Sequence, residues 1–178
     1  MPIRFVFPHA PMQPVTINGG HVMRAWYDIV SGDFDRREDE RGVRASQASI
    51  EALIARELER GVAEQRIVLA GFSQGGAIAL FTGLRYARPL AGIMALSTYM
   101  PALAKLEGER SASNQAVPIL QVHGEFDPVI PISRAAKSRD ALQALGYAVQ
   151  WHEYPMPHSV CPEEIECIGQ WLGRVLAP

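Results

Sequence analysis

The sequence contains little cysteine and no long hydrophobic run. Its two cysteines, Cys161 and Cys167, are six positions apart, and a helix turning by about 100° per residue would place them on different faces. We therefore expect no disulfide between them. The opening MPIRFVFPHAP has too short an apolar run for a signal peptide, and no later run approaches the roughly 20 apolar residues that cross a bilayer. These absences predict a cytoplasmic protein without a membrane span.

The chain also lacks an excess of charge of either sign. It has 17 Lys and Arg against 19 Asp and Glu, for a formal net charge of -2 at pH 7. A chain this balanced has no basic field to attract phosphate backbones, so we expect no nucleic-acid partner. The arginine-rich stretch 36–44 is interleaved with acidic residues, and we interpret it as a solvated loop. The sequence holds no metal-binding motif of paired His or Cys, so we expect neither a metal nor another cofactor.

The composition that is present is that of an ordinary globular protein, with 48% hydrophobic residues over 178 positions. A chain of this length buries roughly 70% of the surface that its unfolded state exposes, which is enough for one hydrophobic core. We therefore predict a single domain over residues 1–178.

Five short apolar runs bounded by glycine or turn residues predict strands. They alternate with four stretches in which apolar residues recur at helical spacing. This alternation predicts the α/β class, in which a parallel sheet is covered by helices on both faces. The candidate strands are 3–7, 66–72, 90–97, 118–124 and 147–155, and the candidate helices are 46–60, 75–86, 132–145 and 162–176.

Two long stretches show neither pattern. Residues 12–42 are punctuated by proline and glycine, and residues 101–117 are polar without a strong period. We predict that both are loops. Loops this long in a compact domain usually serve function, so we place them over the end of the sheet that carries the site.

The stretch LAGFSQGGAIALF places Ser73 between Gly71 and Gly75, after an apolar run and before another. This context is typical of a nucleophile elbow, a sharp strand-to-helix turn that exposes the serine hydroxyl. We expect glycine on both sides because the backbone of such a turn nearly touches itself. The helix that follows directs free N–H groups towards the serine, so the Gln74 N–H is a candidate donor to an oxyanion.

A serine nucleophile needs a histidine base and a carboxylate that orients it, in the chain order Ser, Asp or Glu, His. Asp127 directly follows the candidate strand PILQVHG, and the alternative is an Asp that caps a turn before Pro128. His158 lies in a loop before the last helix, whereas His152 lies inside a candidate strand. We interpret His123, at the end of its own strand, as a structural hydrogen-bonding residue. Asp127 and His158 are therefore the predicted partners of the serine.

With these residues, the chain resembles the phospholipase/carboxylesterase family of α/β-hydrolases, which includes bacterial carboxylesterases and acyl-protein thioesterases. The resemblance is carried by RFVFPHAPMQPVTINGG, AGFSQGGAIAL, HGEFDPVIP and YPMPHSVCPEEI. It implies a three-layer sandwich around a mainly parallel sheet of about five strands. It also implies that Ser73 is the nucleophile, that Asp127 and His158 complete a catalytic triad, and that Gln74 supplies an oxyanion donor.

The resemblance further implies which residues contact the substrate. Trp26 and Tyr27 are expected to shape the acyl pocket, with Met100 nearby. From the residues alone, a Trp-Tyr pair in a long stretch is equally consistent with a core anchor.

The chain departs from the family pattern in two places. Pro157 stands before the histidine, where the family has glycine, and we expect it to stiffen or shift that loop. The chain also starts after the family's first strand and its histidine-glycine-leucine-glycine stretch, so we expect an N-terminally truncated sheet. We expect either that residues 3–7 pair directly with the strand before Ser73, or that a second copy covers the open edge in a homo-oligomer.

The resulting expectation is a serine carboxylesterase that hydrolyses small, short-chain acyl esters through an acyl-enzyme. The alternatives are an acyl-protein thioesterase or lysophospholipase with the same triad, or a catalytically weak module that mainly self-associates. The family's second oxyanion donor precedes this chain, and losing one donor costs about 10² to 10³ in turnover, so we expect weak activity.

Overall fold

The computed structural model describes residues 2–30 and 38–177 of the chain, and its main sheet has four parallel strands. The strands are β1 (Met12–Val15), β2 (His21–Arg24), β3 (Val68–Phe72), β4 (Gly92–Leu96), β5 (Ile119–Gly124) and β6 (Val149–Tyr154). The helices are α1 (Glu40–Glu59), α2 (Gln74–Arg85), α3 (Leu106–Glu109), α4 (Ile132–Ala144) and α5 (Pro162–Val175). The main sheet has the order β3-β4-β5-β6, which confirms the predicted α/β class.

Helices cover the main sheet on both faces. Alternate residues of a strand point to opposite faces, and in β4 Ile93 packs into a core that includes residues of α1, α2 and α4. The next residue, Met94, packs instead against Trp171 of α5. The arrangement of helices, sheet and helix confirms the expected three layers.

Helix α2 is fixed by burial along most of its length. Its residues 76–84 are all buried. Gly83 lies so close to the sheet that an added Cβ would be 2.5 Å from Cδ1 of Ile93. Because α2 begins at the residue after Ser73, this packing also fixes the position of the candidate nucleophile.

The first candidate strand, residues 3–7, does not join the sheet. Its Phe5 and Phe7 rings stack on each other, with centroids 6.0 Å apart, and both are exposed. A groove of about 650 Å³ is lined by residues 2–8 and by parts of β3, α1, α2 and α5. No residue in the described ranges pairs with the outer edge of β3, so the sheet has four strands where we expected about five. An apolar segment forms a strand only where another strand lies about 4.8 Å away to pair with it. The groove lies between residues 3–7 and β3, so this pairing does not form.

The stretch 12–42, which we predicted to be a loop, contains a β-hairpin and the start of α1. Strands β1 and β2 pair antiparallel from Met12 opposite Arg24 to Val15 opposite His21. The hairpin was missed because all four residues of β2 are exposed, so the strand shows no alternation of apolar and polar positions.

The loop predicted at residues 36–44 is wrong for residues 40–44, which belong to α1. Residues 36 and 37 lie outside the described ranges. Helix α1 begins at Glu40 because the Asp39 side chain accepts a hydrogen bond of 2.9 Å from the Gly42 N–H. The second predicted loop, 101–117, consists of short 3-10 turns around the single turn of α3. Within the ranges described, every helix is too short or too polar to cross a membrane.

Helix α5 buries a carboxyl group in its first turn. Glu164 is 0% exposed, and neither of its carboxylate oxygens has a hydrogen-bond partner in the part of the chain that the structure describes. Burial raises the pKa of Glu164 to about 7 from an ordinary value of 4.5. Folding therefore favours the protonated form of Glu164.

We expect the free energy of unfolding to fall as the pH rises from about 4.5 to about 7, because the unfolded chain loses the Glu164 proton first. The difference between the two pKa values corresponds to about 3 kcal/mol. Glu164→Gln should remove this dependence and be more stable than the parent at pH 8. Urea unfolding at pH 5 and pH 8 measures it, with the exposed Glu166→Gln as control. Equal pH dependence of the parent and Glu164→Gln would contradict the assignment.

Candidate active site

Ser73 lies at the turn between β3 and α2 with an unusual backbone conformation. Its φ is 53° and its ψ is -123°, in a region that residues other than glycine rarely adopt. Three hydrogen bonds hold this conformation. The Ser73 N–H donates to the Leu96 carbonyl at 2.8 Å, and the Ser73 carbonyl accepts from the Thr98 hydroxyl at 2.7 Å and from the Ala77 N–H at 3.1 Å. The neighbouring strand and the helix together maintain the strained turn.

The glycines around Ser73 have unequal roles. A Cβ on Gly71 would lie 2.1 Å from the carbonyl carbon of Gly75, a distance that no side chain tolerates. A Cβ on Gly76 would lie 2.7 Å from the Thr98 side chain, whereas a Cβ on Gly75 would meet nothing within 4 Å. The predicted need for glycine therefore holds at Gly71, and the second crowded position is Gly76 instead of Gly75.

Asp127 and His158 meet at the carboxyl ends of β5 and β6. Asp127 Oδ2 accepts a hydrogen bond from His158 Nδ1 at 2.6 Å, and Oδ1 accepts from the backbone N–H groups of Val129 and Ile130 at 2.8 and 2.9 Å. Burial raises the pKa of Asp127, but these hydrogen bonds outweigh burial and lower it below its ordinary value. The ionised carboxylate requires the proton of His158 on Nδ1, which leaves Nε2 free to accept one.

His158 lies beside the turn that carries Ser73. The centroid of its ring is 4.7 Å from that of Phe72, the residue immediately before the serine. No hydrogen bond joins the Ser73 hydroxyl to His158 in the residues described, and such bonds often tighten only once substrate is bound. The ring of His158 is thus held close to the end of β3 that leads into Ser73.

The loop that carries His158 crosses closely over the end of β5. A Cβ on Gly124 would lie 2.4 Å from the Met156 carbonyl oxygen and 2.5 Å from that of Pro157. The Phe126 N–H donates to the Met156 carbonyl at 3.2 Å. Glycine at position 124 thus allows the histidine loop to approach the strand that leads to Asp127.

Gln74 contributes to the site in two ways. Its backbone N–H is the first of α2, where an N–H has no acceptor within the helix, as the predicted oxyanion role requires. Its side chain accepts a hydrogen bond from the Trp26 N–H and donates one to the Tyr27 carbonyl, both at 3.0 Å. The sequence analysis missed this second contact, which joins residues 48 and 47 positions apart.

The three predicted substrate-binding residues occupy different environments. Trp26 is half-buried and lines the groove beside Gly75. Tyr27 is buried, its hydroxyl lies 3.2 Å from that of Tyr99, and burial raises its pKa well above the ordinary value. Met100 is buried in the same core. The position of Tyr27 agrees with the core-anchor alternative, and contact of these residues with a substrate stays a prediction.

Comparison with known proteins identifies the family of this chain. The sequence profile described as phospholipase/carboxylesterase matches residues 1–176. The chain belongs to the phospholipase/carboxylesterase family. The family assignment, predicted from the sequence, is thus confirmed, and the chain is a hydrolase with the α/β-hydrolase fold.

Two relatives match nearly the whole of this chain. The acyl-protein thioesterase 1 of Gibberella zeae is 40% identical over 185 residues, which cover 99% of this chain and 78% of that protein. The acyl-protein thioesterase 1 of Neurospora crassa is 42% identical over 98% of this chain and 74% of its own length.

Solved structures of similar proteins share the fold. Arabidopsis thaliana SOBER1 superposes with a TM-score of 0.91 at 30% identity, over 96% of this chain and 83% of its own. Zea mays acyl-protein thioesterase 2 gives a TM-score of 0.86 at 29% identity, over 96% and 80% of the two chains.

Glycine-to-alanine variants test the elbow of this hydrolase. Gly71→Ala should lower the free energy of unfolding by at least about 3 kcal/mol or abolish folding, because its Cβ meets backbone that cannot move aside. Gly75→Ala should be as stable as the parent or more stable by about 0.5 to 1 kcal/mol, because the space is open and alanine favours the helix. Urea unfolding of both variants measures the difference. Equal destabilisation would contradict the described turn.

Proposed function

We propose that this hydrolase cleaves acyl thioesters by serine catalysis, in the manner of an acyl-protein thioesterase. The observation that carries the proposal is the 2.6 Å hydrogen bond between Asp127 and His158 beside the elbow of Ser73. A buried, ionised carboxylate that fixes the tautomer of a histidine is the arrangement that makes a serine hydroxyl nucleophilic.

The reaction proceeds in two steps, formation of an acyl-enzyme and its hydrolysis. Ser73 Oγ attacks the thioester carbonyl carbon and its proton passes to His158 Nε2, while the Gln74 N–H stabilises the oxyanion. The C–S bond then breaks, and the leaving thiolate takes the proton from His158. Water then attacks the acyl-enzyme carbonyl carbon while its proton passes to the same Nε2. The bond between that carbon and Ser73 Oγ breaks, and His158 returns the proton to Oγ, which releases the acid and restores both residues. The sum is thioester and water going to carboxylic acid and thiol.

The relatives favour a thioester over the short-chain carboxylic ester that we expected from the sequence. Two curated relatives at 40% and 42% identity are named acyl-protein thioesterases, and so is one of the similar solved structures. The same residues would also act on an oxygen ester, since only the leaving atom differs. Carboxylesterase activity is therefore the second candidate, and the family description supports it.

A module that mainly self-associates is the competing function from a different class. The exposed Phe5 and Phe7, together with an edge of β3 that no described residue covers, support it. This function would appear as a mass that rises with protein concentration, without hydrolysis that depends on Ser73.

The deciding experiment compares a thioester and an oxygen ester that carry the same acyl group. We expect the parent to hydrolyse the thioester with a kcat/KM at least about tenfold higher, and Ser73→Ala to lose at least about 10³ of it. Ser49→Ala, an exposed serine on α1, serves as a control and should match the parent. A faster reaction with the oxygen ester would favour the carboxylesterase, and equal activity of Ser73→Ala would reject both candidates.

A further inference from the structure

A second histidine contacts the aspartate of the site. His123, at the penultimate position of β5, is fully buried. Its Nε2 lies 2.9 Å from the Ile130 carbonyl oxygen and 3.4 Å from Asp127 Oδ2. That same Oδ2 accepts the 2.6 Å hydrogen bond from His158. One carboxylate oxygen therefore faces two imidazole rings.

The contacts determine where the proton of His123 lies. A carbonyl oxygen only accepts hydrogen bonds, so Nε2 must carry the proton and donate it to Ile130. Burial lowers the pKa of His123, an effect opposed by the Ile130 carbonyl and by the nearby charge of Asp127. His158 lowers the pKa further, and Glu153 raises it. The ring is thus a neutral donor whose N–H is directed at the loop that carries Asp127.

Two hydrogen bonds of Ile130 hold the loop formed by residues 127–130. The Ile130 N–H donates to Asp127 Oδ1, and the Ile130 carbonyl accepts from His123. The His123 ring is held in turn by β5 and lies over Trp151 of β6, with centroids 6.4 Å apart and ring planes 10° apart. The His123 ring thus links the 127–130 loop to β5 and β6.

We propose that His123 is a positioning residue for the triad, which anchors the 127–130 loop through Ile130 and thereby directs Asp127 Oδ2 at His158. The inference rests on the proposed function of Ser73, Asp127 and His158. It extends the sequence interpretation of His123 from a structural group to one that sets catalytic geometry.

Loss of this anchor should affect the rate more than the binding of substrate. His123 is fully buried and so is not accessible to a substrate. A displacement of about 1 Å in a catalytic group can cost about 10² in rate.

The test compares two substitutions of His123. In His123→Gln the side-chain N–H₂ can still donate to the Ile130 carbonyl, whereas His123→Phe keeps a ring without a donor. We expect His123→Phe to lower kcat by about tenfold to a hundredfold with KM within twofold. His123→Gln should stay within about threefold of the parent. His152→Phe, on the neighbouring strand, is the matched control and should behave as the parent.

Several results would overturn the proposal. They are an unchanged kcat in His123→Phe and an equal loss of activity in both His123 variants. A loss of rate that only matches the folded fraction measured by urea unfolding would show a purely structural role and overturn the proposal.

A second readout does not depend on the proposed function. In the proton NMR spectrum of protein with ¹⁵N-labelled histidine, the His158 Nδ1–H should resonate at low field. The signal is assigned to His158 by its disappearance in His158→Phe. This signal should persist in His123→Gln and shift or broaden in His123→Phe, even if the parent hydrolyses neither ester. An unchanged signal in His123→Phe would reject the positioning role.

Discussion

The site depends on one close approach of the backbone to itself. Gly71 passes so near Gly75 and Gly76 that no side chain fits between them, and the absence of a side chain at position 71 allows the sharp turn from β3 into α2. Ser73, at the apex, takes a positive φ, and the Leu96 carbonyl and the Thr98 hydroxyl of the neighbouring strand region hold it there. The buried helix α2 then keeps the strained turn from relaxing, because its residues 76–84 are packed in the core.

The second half of the site is built on the end of β5. His123, Gly124 and Asp127 lie within five positions of one another, and each has a different physical task. His123 reaches the loop carbonyl, Gly124 leaves room for the histidine loop, and Asp127 binds the imidazole of His158. Two adjacent parallel strands, β5 and β6, therefore bring together residues 31 positions apart.

Sequence patterns predicted the alternation of strands and helices. The order of serine, aspartate and histidine along the chain, and their positions near the ends of strands, led to the choice of Ser73, Asp127 and His158. They could not predict the contacts between distant segments. The side chain of Gln74 reaches the Trp26–Tyr27 backbone, which only the folded chain reveals. The strand predicted at residues 3–7 was wrong because a strand forms only beside another strand with which it can pair. Strand β2 was not predicted because all four of its residues are exposed. Gly75 and Gly76 could not be ranked before the position of Thr98 was known.

The central claim is that Ser73 is an activated nucleophile in the folded protein. The most direct test treats the native chain with a fluorophosphonate and locates the adduct by mass spectrometry of its peptides. The account predicts one adduct, on Ser73, that forms much more slowly in His158→Phe and does not form in urea. A folded chain that stays unmodified at Ser73, or that reacts equally well after unfolding, would contradict it.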